Sequence, residues 1–167
     1  MSYINGLDQS EDESQARECF LCQAIELAGD EEQRQQRLVL VNDKRGLLLL
    51  NRYPYTNGHL LIAPYQHVSG ISDLDESQRC GLMDLVSFAS RLLNAAMNPQ
   101  GMNIGINIGR CAGAGLPGHI HIHVVPRWNG DVNYMQVVGG IRVIPQSLEA
   151  GYQLLKDTAR KLSIENS

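Results

Sequence analysis

Three histidines, His119, His121 and His123, alternate with apolar residues in the stretch GHIHIHVVPRW, which runs from Gly118 to Trp128. The side chains of a β-strand alternate between its two faces, so the imidazoles are predicted on one face and the apolar side chains on the other. Neighbouring imidazoles on that face lie about 6.6 Å apart, which lets them contact successive groups of one phosphate chain. The alternative is a half-exposed polar strand face that performs no chemistry.

The residues around these histidines limit the chemistry that they can perform. The chain has no serine nucleophile elbow with histidine and aspartate partners and no paired carboxylates nearby, which argues against acyl and glycosyl transfer. In one interpretation, a neutral imidazole attacks a phosphorus atom and a second nucleophile resolves the phosphoramidate, while neighbouring imidazoles donate hydrogen bonds to the charged oxygens. In the other, His119, His121 and His123 bind a catalytic metal, although no carboxylate or base lies near them in the sequence.

The other histidine and cysteine positions are less specific. His59 opens a predicted strand, and its position alone favours a strand-edge histidine bonded to backbone. Cys19 and Cys22 form a Cys-x-x-Cys pair, which is half a zinc site or a redox pair. The redox interpretation requires a thioredoxin-like βαβ unit that the sequence does not indicate. Together with Cys80 and Cys111, these cysteines are expected to be thiols or metal ligands in a reducing compartment.

Length and composition predict a single domain. The 167 residues are 43% hydrophobic, which is enough for one globular core. Eighteen acidic and 14 basic residues give a net charge of −4 without a basic run, which argues against a protein that grips long nucleic acid but is compatible with a nucleotide-sized anion. The sequence contains neither an apolar run near the ~20 residues of a membrane span nor the features of a signal peptide, so a cytoplasmic location is expected.

The histidines need a scaffold, and the hydrophobic pattern predicts an α+β one. Residues 1–15 are acidic and polar and are expected to form a flexible arm, which leaves 16–167 as the single domain. Hydrophobic periodicity predicts strands at 38–41, 46–50, 59–63 and 136–143, a main helix over 82–97 that ends at Asn98-Pro99, and a terminal helix over 148–162.

A strand rich in glycine and asparagine is the second informative feature. Over 101–109 the even positions are Met or Ile and the odd positions are Gly or Asn, the same alternation as in the histidine stretch. If the two strands pair antiparallel, one sheet face is apolar and meets the main helix, while the other carries Gly, Asn and His and leaves room for a ligand. The connecting loop contains Gly113 and Gly115, whose backbone N–H groups suit an anion, but it lacks the Lys-Ser/Thr ending of a P-loop.

These motifs resemble the histidine triad (HIT) superfamily. HIHIHVV matches its signature of His-φ-His-φ-His-φ-φ, with φ apolar, and the continuation through PRW, NGD and NYM is similar to the Fhit-like, bacterial diadenosine tetraphosphate (Ap4A) phosphorylase branch. The resemblance covers roughly Cys19 to Met135. It implies an antiparallel sheet of about five strands packed against one long helix, with terminal helices, and it implies a homodimer.

The resemblance also implies roles for individual residues. His121 corresponds to the histidine that becomes nucleotidylated, and His123 and His59 correspond to histidines that line the phosphate site. Asn51 takes the position of a ribose ligand, and Asn107 that of a strand residue near the phosphates. The substrate-binding residues expected from the motif and the loop together are Asn51, Asn107, Gly113, Gly115, His119 and His123.

A structural zinc is the cofactor that the resemblance implies. Some HIT proteins bind it through a Cys-x-x-Cys pair, a histidine after the third strand and the first triad histidine. Those positions here are Cys19, Cys22, His67 and His119, and all four ligand types are present. His119 is then expected to belong to the metal, which leaves His121 and His123 for the chemistry.

The implied activity is that of a nucleotidyltransferase or hydrolase. His121 would attack the α-phosphorus of an adenine dinucleotide, and the adenylyl group would pass to phosphate or water. Many HIT hydrolases carry a glutamine four residues before the first triad histidine, where this chain has Gly115; the departure weakens simple hydrolysis and leaves space for a second anion. The alternatives are a mononucleotide phosphoramidate or nucleotidyl-sulfate hydrolase and a nucleotide-binding sensor without turnover, against which the intact triad argues.

Overall fold

The computed structural model describes residues 18–131 and 147–164, which form one sheet with helices on both faces. Along the chain, the elements are α1 (Phe20–Glu26), α2 (Glu31–Gln36), β1 (Val39–Asp43), β2 (Gly46–Leu50), β3 (Leu60–Ala63), α3 (Glu76–Met97), β4 (Gly101–Ile106), β5 (Ile122–Arg127) and α4 (Leu148–Ile164). The arm expected at 1–15 and the strand expected at 136–143 lie outside the described residues.

The five strands are antiparallel and follow the order β1-β2-β3-β5-β4. This arrangement confirms the α+β class and the predicted pairing of the glycine-rich strand with the histidine strand. Ile104 lies opposite Val124, and Gly105 lies opposite His123. Because directly opposed residues share a face, the polar positions of β4 and β5 lie on one side of the sheet and the apolar positions on the other.

The histidine strand is shorter than its alternation predicts. β5 begins at Ile122, so His123 lies within it while His119 and His121 precede it. β4 likewise ends at Ile106 rather than at position 109. The chain leaves the sheet between these two points, where the glycine-rich loop connects the strands. The apolar residues of the histidine stretch are nevertheless buried in one core, as the alternation predicts: Ile120, Ile122 and Val124.

Helices cover the two faces of the sheet unequally. α3 and α4 pack on one face, where the apolar stripe of α3 is buried as predicted. α1 packs on the other face, where its Leu21 and Ala24 join a core built from β1, β2 and β3. β2 and β3 are therefore buried along their whole length, which suits the uninterrupted leucines of β2. His123 lies opposite Leu61 and therefore on the same face of the sheet as α1. Among the described residues, β4 is exposed or only half-buried along its length.

The main helix ends at the predicted stop but begins at Glu76, six residues before the predicted start at 82, because a cap precedes its apolar stripe. The Asp75 side chain accepts from the Gln78 N–H at 2.8 Å, and the Gln78 side chain accepts from the Asp75 N–H at 2.8 Å, which together form a capping box. Asn98 ends the helix in the left-handed conformation, with φ of 46°. None of the helices in the described residues is long and apolar enough to cross a membrane.

A Leu92→Ala variant is expected to lower the free energy of unfolding by about 2–5 kcal/mol, because Leu92 is completely buried between α3 and the sheet. Met83 on the same helix is 60% exposed, so Met83→Ala is a matched control that should change stability by no more than about 0.5 kcal/mol. Urea unfolding of the two variants measures both values. Equal losses would contradict the assignment of the buried stripe.

Candidate active site and metal centre

β3 and β5 bring together two histidines that are distant in the sequence. His59 directly precedes β3 and is fully buried, while His123 lies in β5. His59 Nε2 and His123 Nδ1 are 3.0 Å apart, so one ring donates a hydrogen bond to the other. The pair therefore forms on the α1 face of the sheet, as the resemblance implies for two residues of one site.

The hydrogen-bond contacts of the His59 Nδ1 atom determine which ring nitrogens of this histidine pair carry the protons. The Tyr55 N–H donates to His59 Nδ1 at 3.1 Å, and the Asn51 side-chain amide lies 3.2 Å from the same atom. A ring nitrogen that accepts carries no proton, so His59 is protonated at Nε2 and donates to His123 Nδ1. His123 must then carry its proton at Nε2, which is buried and has no hydrogen-bond partner among residues 18–131 and 147–164. An unpaired buried donor is costly, and a ligand acceptor would remove that cost.

In the neutral ring of His121 the proton lies on Nδ1, whereas in His59 and His123 it lies on Nε2. Its Nδ1 lies 2.8 Å from the His119 carbonyl oxygen, which can only accept, so the proton is on Nδ1 and Nε2 carries a free lone pair. The ring is 7% exposed, and its centroid is 4.9 Å from that of His123. A neutral imidazole with a free lone pair, next to an imidazole N–H, can attack an electrophilic phosphorus while its neighbour stabilises negative charge.

The His123 ring is expected to titrate below pH 6.5, because burial and, to a smaller extent, the neighbouring His121 lower its pKa from that ordinary value. A lowered pKa means that the ring binds a proton only in more acidic solution, so it stays neutral as the pH falls through 6.5. Nitrogen-detected NMR of the histidine rings measures both this midpoint and the Nε2–H tautomer. A midpoint at or above 6.5, or a proton on Nδ1, would contradict the hydrogen-bond pattern.

A second cluster of side chains lies where the start of α1 meets the sheet. The ligand atoms of Cys19, Cys22, His67 and His119 all lie within 4.8 Å of one another. The Nδ1 atom of His119 is 3.3 Å from Cys19 Sγ and 3.4 Å from Cys22 Sγ, and that of His67 is 3.2 Å from Cys22 Sγ. Sulfur and nitrogen ligands of a tetrahedral zinc lie roughly 3.5 Å apart, given the usual Zn–S and Zn–N distances. The four residues could therefore hold a metal ion with little rearrangement.

The protonation chemistry of the cluster fits a metal with soft ligands. His119 Nε2 lies 3.0 Å from the Pro64 carbonyl oxygen, so this nitrogen donates and Nδ1 presents its lone pair to the cysteines. Burial lowers the pKa of His119 to about 4, which keeps the ring neutral as a ligand must be. Burial, followed by the neighbouring Cys19, raises the pKa of Cys22 to about 12. A bound cation would offset that penalty by stabilising the thiolate.

Three of the six predicted substrate-binding residues line two cavities on the α1 face: Asn51, Asn107 and His123. Asn51 lines an apolar cavity of about 270 Å³ beneath α1, here called the α1 cavity. Its other walls come from α1, α2 and the neighbouring strands: Phe20, Ala24, Arg37, Leu49, Leu50, Arg52, Tyr53 and Leu61. Asn107 lines a separate cleft of about 380 Å³ between β4 and the loop that precedes β3. His123 also lines this cleft, so the histidines lie between the two cavities.

The glycine loop lies at the rim of the cleft. The Asn107 amide is 3.5 Å from the Gly113 carbonyl oxygen, and Gly113 adopts the left-handed conformation with φ of 85°. A side chain at Gly115 would meet no described atom within 4 Å. His119, which was also expected to bind substrate, is instead fully buried in the cysteine cluster.

Several cleft residues are not apparent from the sequence pattern. Arg127 donates from Nε and Nη2 to both carboxylate oxygens of Asp131, at 2.5 and 2.7 Å, and from Nη1 to Asn103 Oδ1 at 2.8 Å. The Tyr55 ring stacks on His123 with a centroid distance of 5.9 Å. An arginine and an aspartate four residues apart around an Asn-Gly turn are a weak signal, because such pairs also occur on ordinary surfaces.

Comparisons with known proteins agree with this geometry. The family model for the HIT domain matches residues 32–130. A Mycobacterium tuberculosis protein named AP-4-A phosphorylase is 41% identical over 131 residues, which are 78% of this chain and 64% of that protein. The chain thus spans less than two thirds of the length of this relative.

Solved structures of similar proteins share the fold. A zinc-bound histidine triad family protein from Mycobacterium smegmatis superposes with a TM-score of 0.70 at 26% identity, covering 90% of this chain and 99% of that one. A hypothetical histidine triad nucleotide-binding protein from Sulfolobus tokodaii gives a TM-score of 0.66 at 27% identity, covering 89% and 93%. On the match of the family model to most of the chain, together with the paired histidines and the fold, the protein belongs to the HIT domain family.

Proposed function

We propose that the protein cleaves dinucleoside polyphosphates of the diadenosine tetraphosphate class through a nucleotidyl-histidine on His121. The observation that carries this proposal is the free Nε2 lone pair of His121, which results from the 2.8 Å contact between its Nδ1 and the His119 carbonyl oxygen. A nucleophilic imidazole must be neutral and must direct its lone pair toward the electrophile. The name of the 41% identical mycobacterial relative supports this class of substrate.

In the first step, His121 Nε2 attacks the α-phosphorus. The N–P bond forms, the bond from phosphorus to the bridging oxygen breaks, and the electron pair remains on the oxygen of the departing nucleotide. His123 Nε2–H, which has no partner among the described residues, is proposed to donate to the phosphate oxygens, and the hydrogen bond from His59 holds that ring in the required tautomer. In the second step, an acceptor oxygen attacks the same phosphorus and releases His121.

We favour phosphate as the acceptor of the adenylyl group in the second step, because the glycine-rich loop carries no side chain at Gly115. The side chain that orients water in many family hydrolases has no counterpart at Gly115, where a Cβ would meet no described atom within 4 Å. This space can admit a second anion next to the adenylyl group. Phosphate attack converts the adenylyl group to ADP, whereas water attack converts it to AMP, so the product identifies the acceptor.

The adenylyl half is proposed to bind on the α1 side of His121. The α1 cavity is mostly apolar, with Phe20, Leu49 and Leu61 in its walls, which suits a flat base. Asn51 lies between this cavity and His59, within 3.2 Å of the His59 ring. Its amide is therefore placed between a base in the cavity and a phosphate at the histidines, where a ribose would lie.

A structural zinc is proposed to be held by Cys19, Cys22, His67 and His119. Two thiolates and two imidazoles complete a tetrahedral site and leave no open position for substrate, so the ion would supply folding energy and hold α1 against the sheet. The zinc-bound structural neighbour supports the choice of metal. His119 would then orient His121 through its backbone carbonyl.

A homodimer is proposed because β4 is the edge strand of the sheet within the described residues and exposes apolar side chains there. Ile104 is 48% exposed on this strand, and Ile108, just beyond it, is 54% exposed. Exposed edges with apolar residues favour pairing with another chain. Light scattering after gel filtration should give twice the chain mass of 18.5 kDa, and a monomer mass would contradict this proposal.

Incubating the purified protein with diadenosine tetraphosphate, with and without inorganic phosphate, tests the reaction. ADP that forms only with phosphate supports phosphorolysis, and AMP that forms without it supports hydrolysis. If neither condition gives turnover, the dinucleotide assignment is wrong. Turnover of adenosine 5′-phosphoramidate alone would then favour the mononucleotide hydrolase.

A further inference from the structure

The cleft on the far side of His123 from the α1 cavity has no role in binding the adenylyl half. It lies over the polar face of β4 and β5 and measures about 380 Å³. We call it the Gly105 cleft, after the residue opposite His123. It is lined by Tyr55, Thr56, Asn103, Ile104, Gly105, Asn107, His123, Val125, Arg127 and Asp131.

Gly105 keeps this cleft open. A Cβ built at Gly105 meets no atom of residues 18–131 or 147–164 within 4 Å, so none of these residues occupies the space directly above it. Its backbone conformation lies outside the left-handed region, and the position does not require glycine for the strand. Glycine inside a strand costs stability relative to residues with side chains, and it is often found where a ligand approaches the backbone closely.

The end of the cleft at His123 is suited to phosphate. The buried His123 Nε2–H lacks a partner among the described residues, and the Asn107 amide lies on the same cleft. Both groups offer N–H donors without a nearby carboxylate at this end. A chain of phosphates leaving the α-phosphorus at His121 would enter the cleft at this point.

The opposite end is suited to a nucleoside rather than to an anion. Asp131 neutralises the Arg127 guanidinium with two hydrogen bonds, at 2.5 and 2.7 Å, and Asn103 accepts a third at 2.8 Å. The resulting surface is polar without net charge. Arg127 follows His123 by four positions along β5, a length of roughly 13 Å, which far exceeds what inorganic phosphate needs.

We propose that the Gly105 cleft binds the leaving half of the dinucleotide, with its phosphate chain beside His123 and its nucleoside toward Arg127. This inference rests on the proposed function and adds the position of the second nucleotide. When His121 forms its bond to the α-phosphorus, the electron pair of the broken P–O bond stays on the departing nucleoside triphosphate, whose oxygen accepts the His123 Nε2–H. The substrate thus extends across one sheet face, from the α1 cavity through the histidines to β4.

A Gly105→Val variant tests the proposal, because a branched side chain suits a strand and would extend into the cleft, where a Cβ meets no described atom within 4 Å. The readout is the ratio of kcat/KM for diadenosine tetraphosphate to kcat/KM for adenosine 5′-phosphoramidate, which has the same adenylyl half and a small leaving group. We expect Gly105→Val to lower this ratio about tenfold or more.

Gly101→Val is the matched control, since Gly101 lies on the same face of β4 outside the cleft and a Cβ there also meets no described atom within 4 Å. It should leave the ratio within about twofold.

Two further measurements keep the result unambiguous. Inhibition by AMP reports the adenylyl half alone, and the burst of ATP released without phosphate reports the first step alone. The proposal is supported if Gly105→Val weakens the burst and leaves AMP inhibition within about threefold. It is overturned if both substrates lose activity equally, if AMP inhibition weakens in parallel, or if only the dependence on phosphate changes. Failure of the wild-type protein to cleave the dinucleotide would instead overturn the proposed function.

Discussion

A His121→Asn variant is expected to lose turnover of diadenosine tetraphosphate by a factor on the order of 10⁴ or more, because asparagine has no ring nitrogen that can attack phosphorus. The asparagine amide can still donate to the His119 carbonyl oxygen that holds His121 now. The surrounding structure should therefore persist, and the loss should fall on chemistry rather than on folding. Rates of ADP formation in the presence of phosphate, together with the melting temperature, separate these two effects.

His123→Asn is the matched control for this variant. It removes a hydrogen-bond donor rather than the nucleophile, so turnover should fall by roughly 10²–10³ and the adenylyl-protein should still form. Mass spectrometry of protein that is rapidly desalted at neutral to alkaline pH, where the P–N bond survives, detects that intermediate, which His121→Asn should never show. AMP should bind both variants, because the proposed nucleoside contacts lie in the α1 cavity. Turnover of His121→Asn within tenfold of the wild type would refute the role of His121.

If the proposed zinc is bound, a Cys19→Ser variant is expected to lose it and to melt about 10 °C or more below the wild type. Cys19 is 1% exposed, and its Sγ lies 3.3 Å from His119 Nδ1 at the centre of the cluster. Zinc bound to such ligands contributes several kcal/mol or more to folding, and each kcal/mol shifts the melting temperature of a chain this long by about 2–4 °C. Turnover should fall as well, since the His119 carbonyl orients His121.

The chain offers a matched control in Cys80, which is exposed on α3 and lies outside the cluster. Cys80→Ser should keep its zinc and melt within about 1 °C of the wild type. Elemental analysis of wild-type protein purified without a histidine tag should find about one zinc per chain for a single four-ligand site. Protein that is fully folded and active with no zinc would refute the metal assignment, whatever the variants do.

The histidine triad illustrates how closely spaced residues acquire different tasks. His119 contacts two cysteines through Nδ1, and its carbonyl oxygen accepts from His121. His123 accepts from His59, lines the Gly105 cleft, and has no partner for its Nε2 among the described residues. His119 thus joins the cysteine cluster to the proposed nucleophile, His121, so we expect the effects of Cys19→Ser and His121→Asn to be physically coupled.

Patterns between residues that are near in sequence were sufficient to predict much of the fold and the family of this protein. Alternation along the histidine stretch correctly predicted that Ile120, Ile122 and Val124 face the core. Helical spacing and the Asn98 stop predicted α3, and the motif with its glycine-rich neighbour identified the family. These features depend on side-chain periodicity and capping chemistry, which act between residues that are near in sequence. The exact strand ends were wrong by a few residues, because pairing partners and the loop decide them.

The roles of the site depend on contacts that no local pattern contains. Cys19 and His119 are 100 residues apart, and His59 and His123 are 64 apart, yet each pair is in hydrogen-bond contact. The tautomers follow from backbone groups at Tyr55 and His119, whose positions are known only after folding. The Gly105 cleft likewise exists because β4 lies beside β5 where α1 does not reach. The alternating pattern predicts which residue types share one strand face. The tertiary contacts set the tautomers on which the proposed roles of His121 and His123 rest, because proton positions depend on the partner that each ring atom meets.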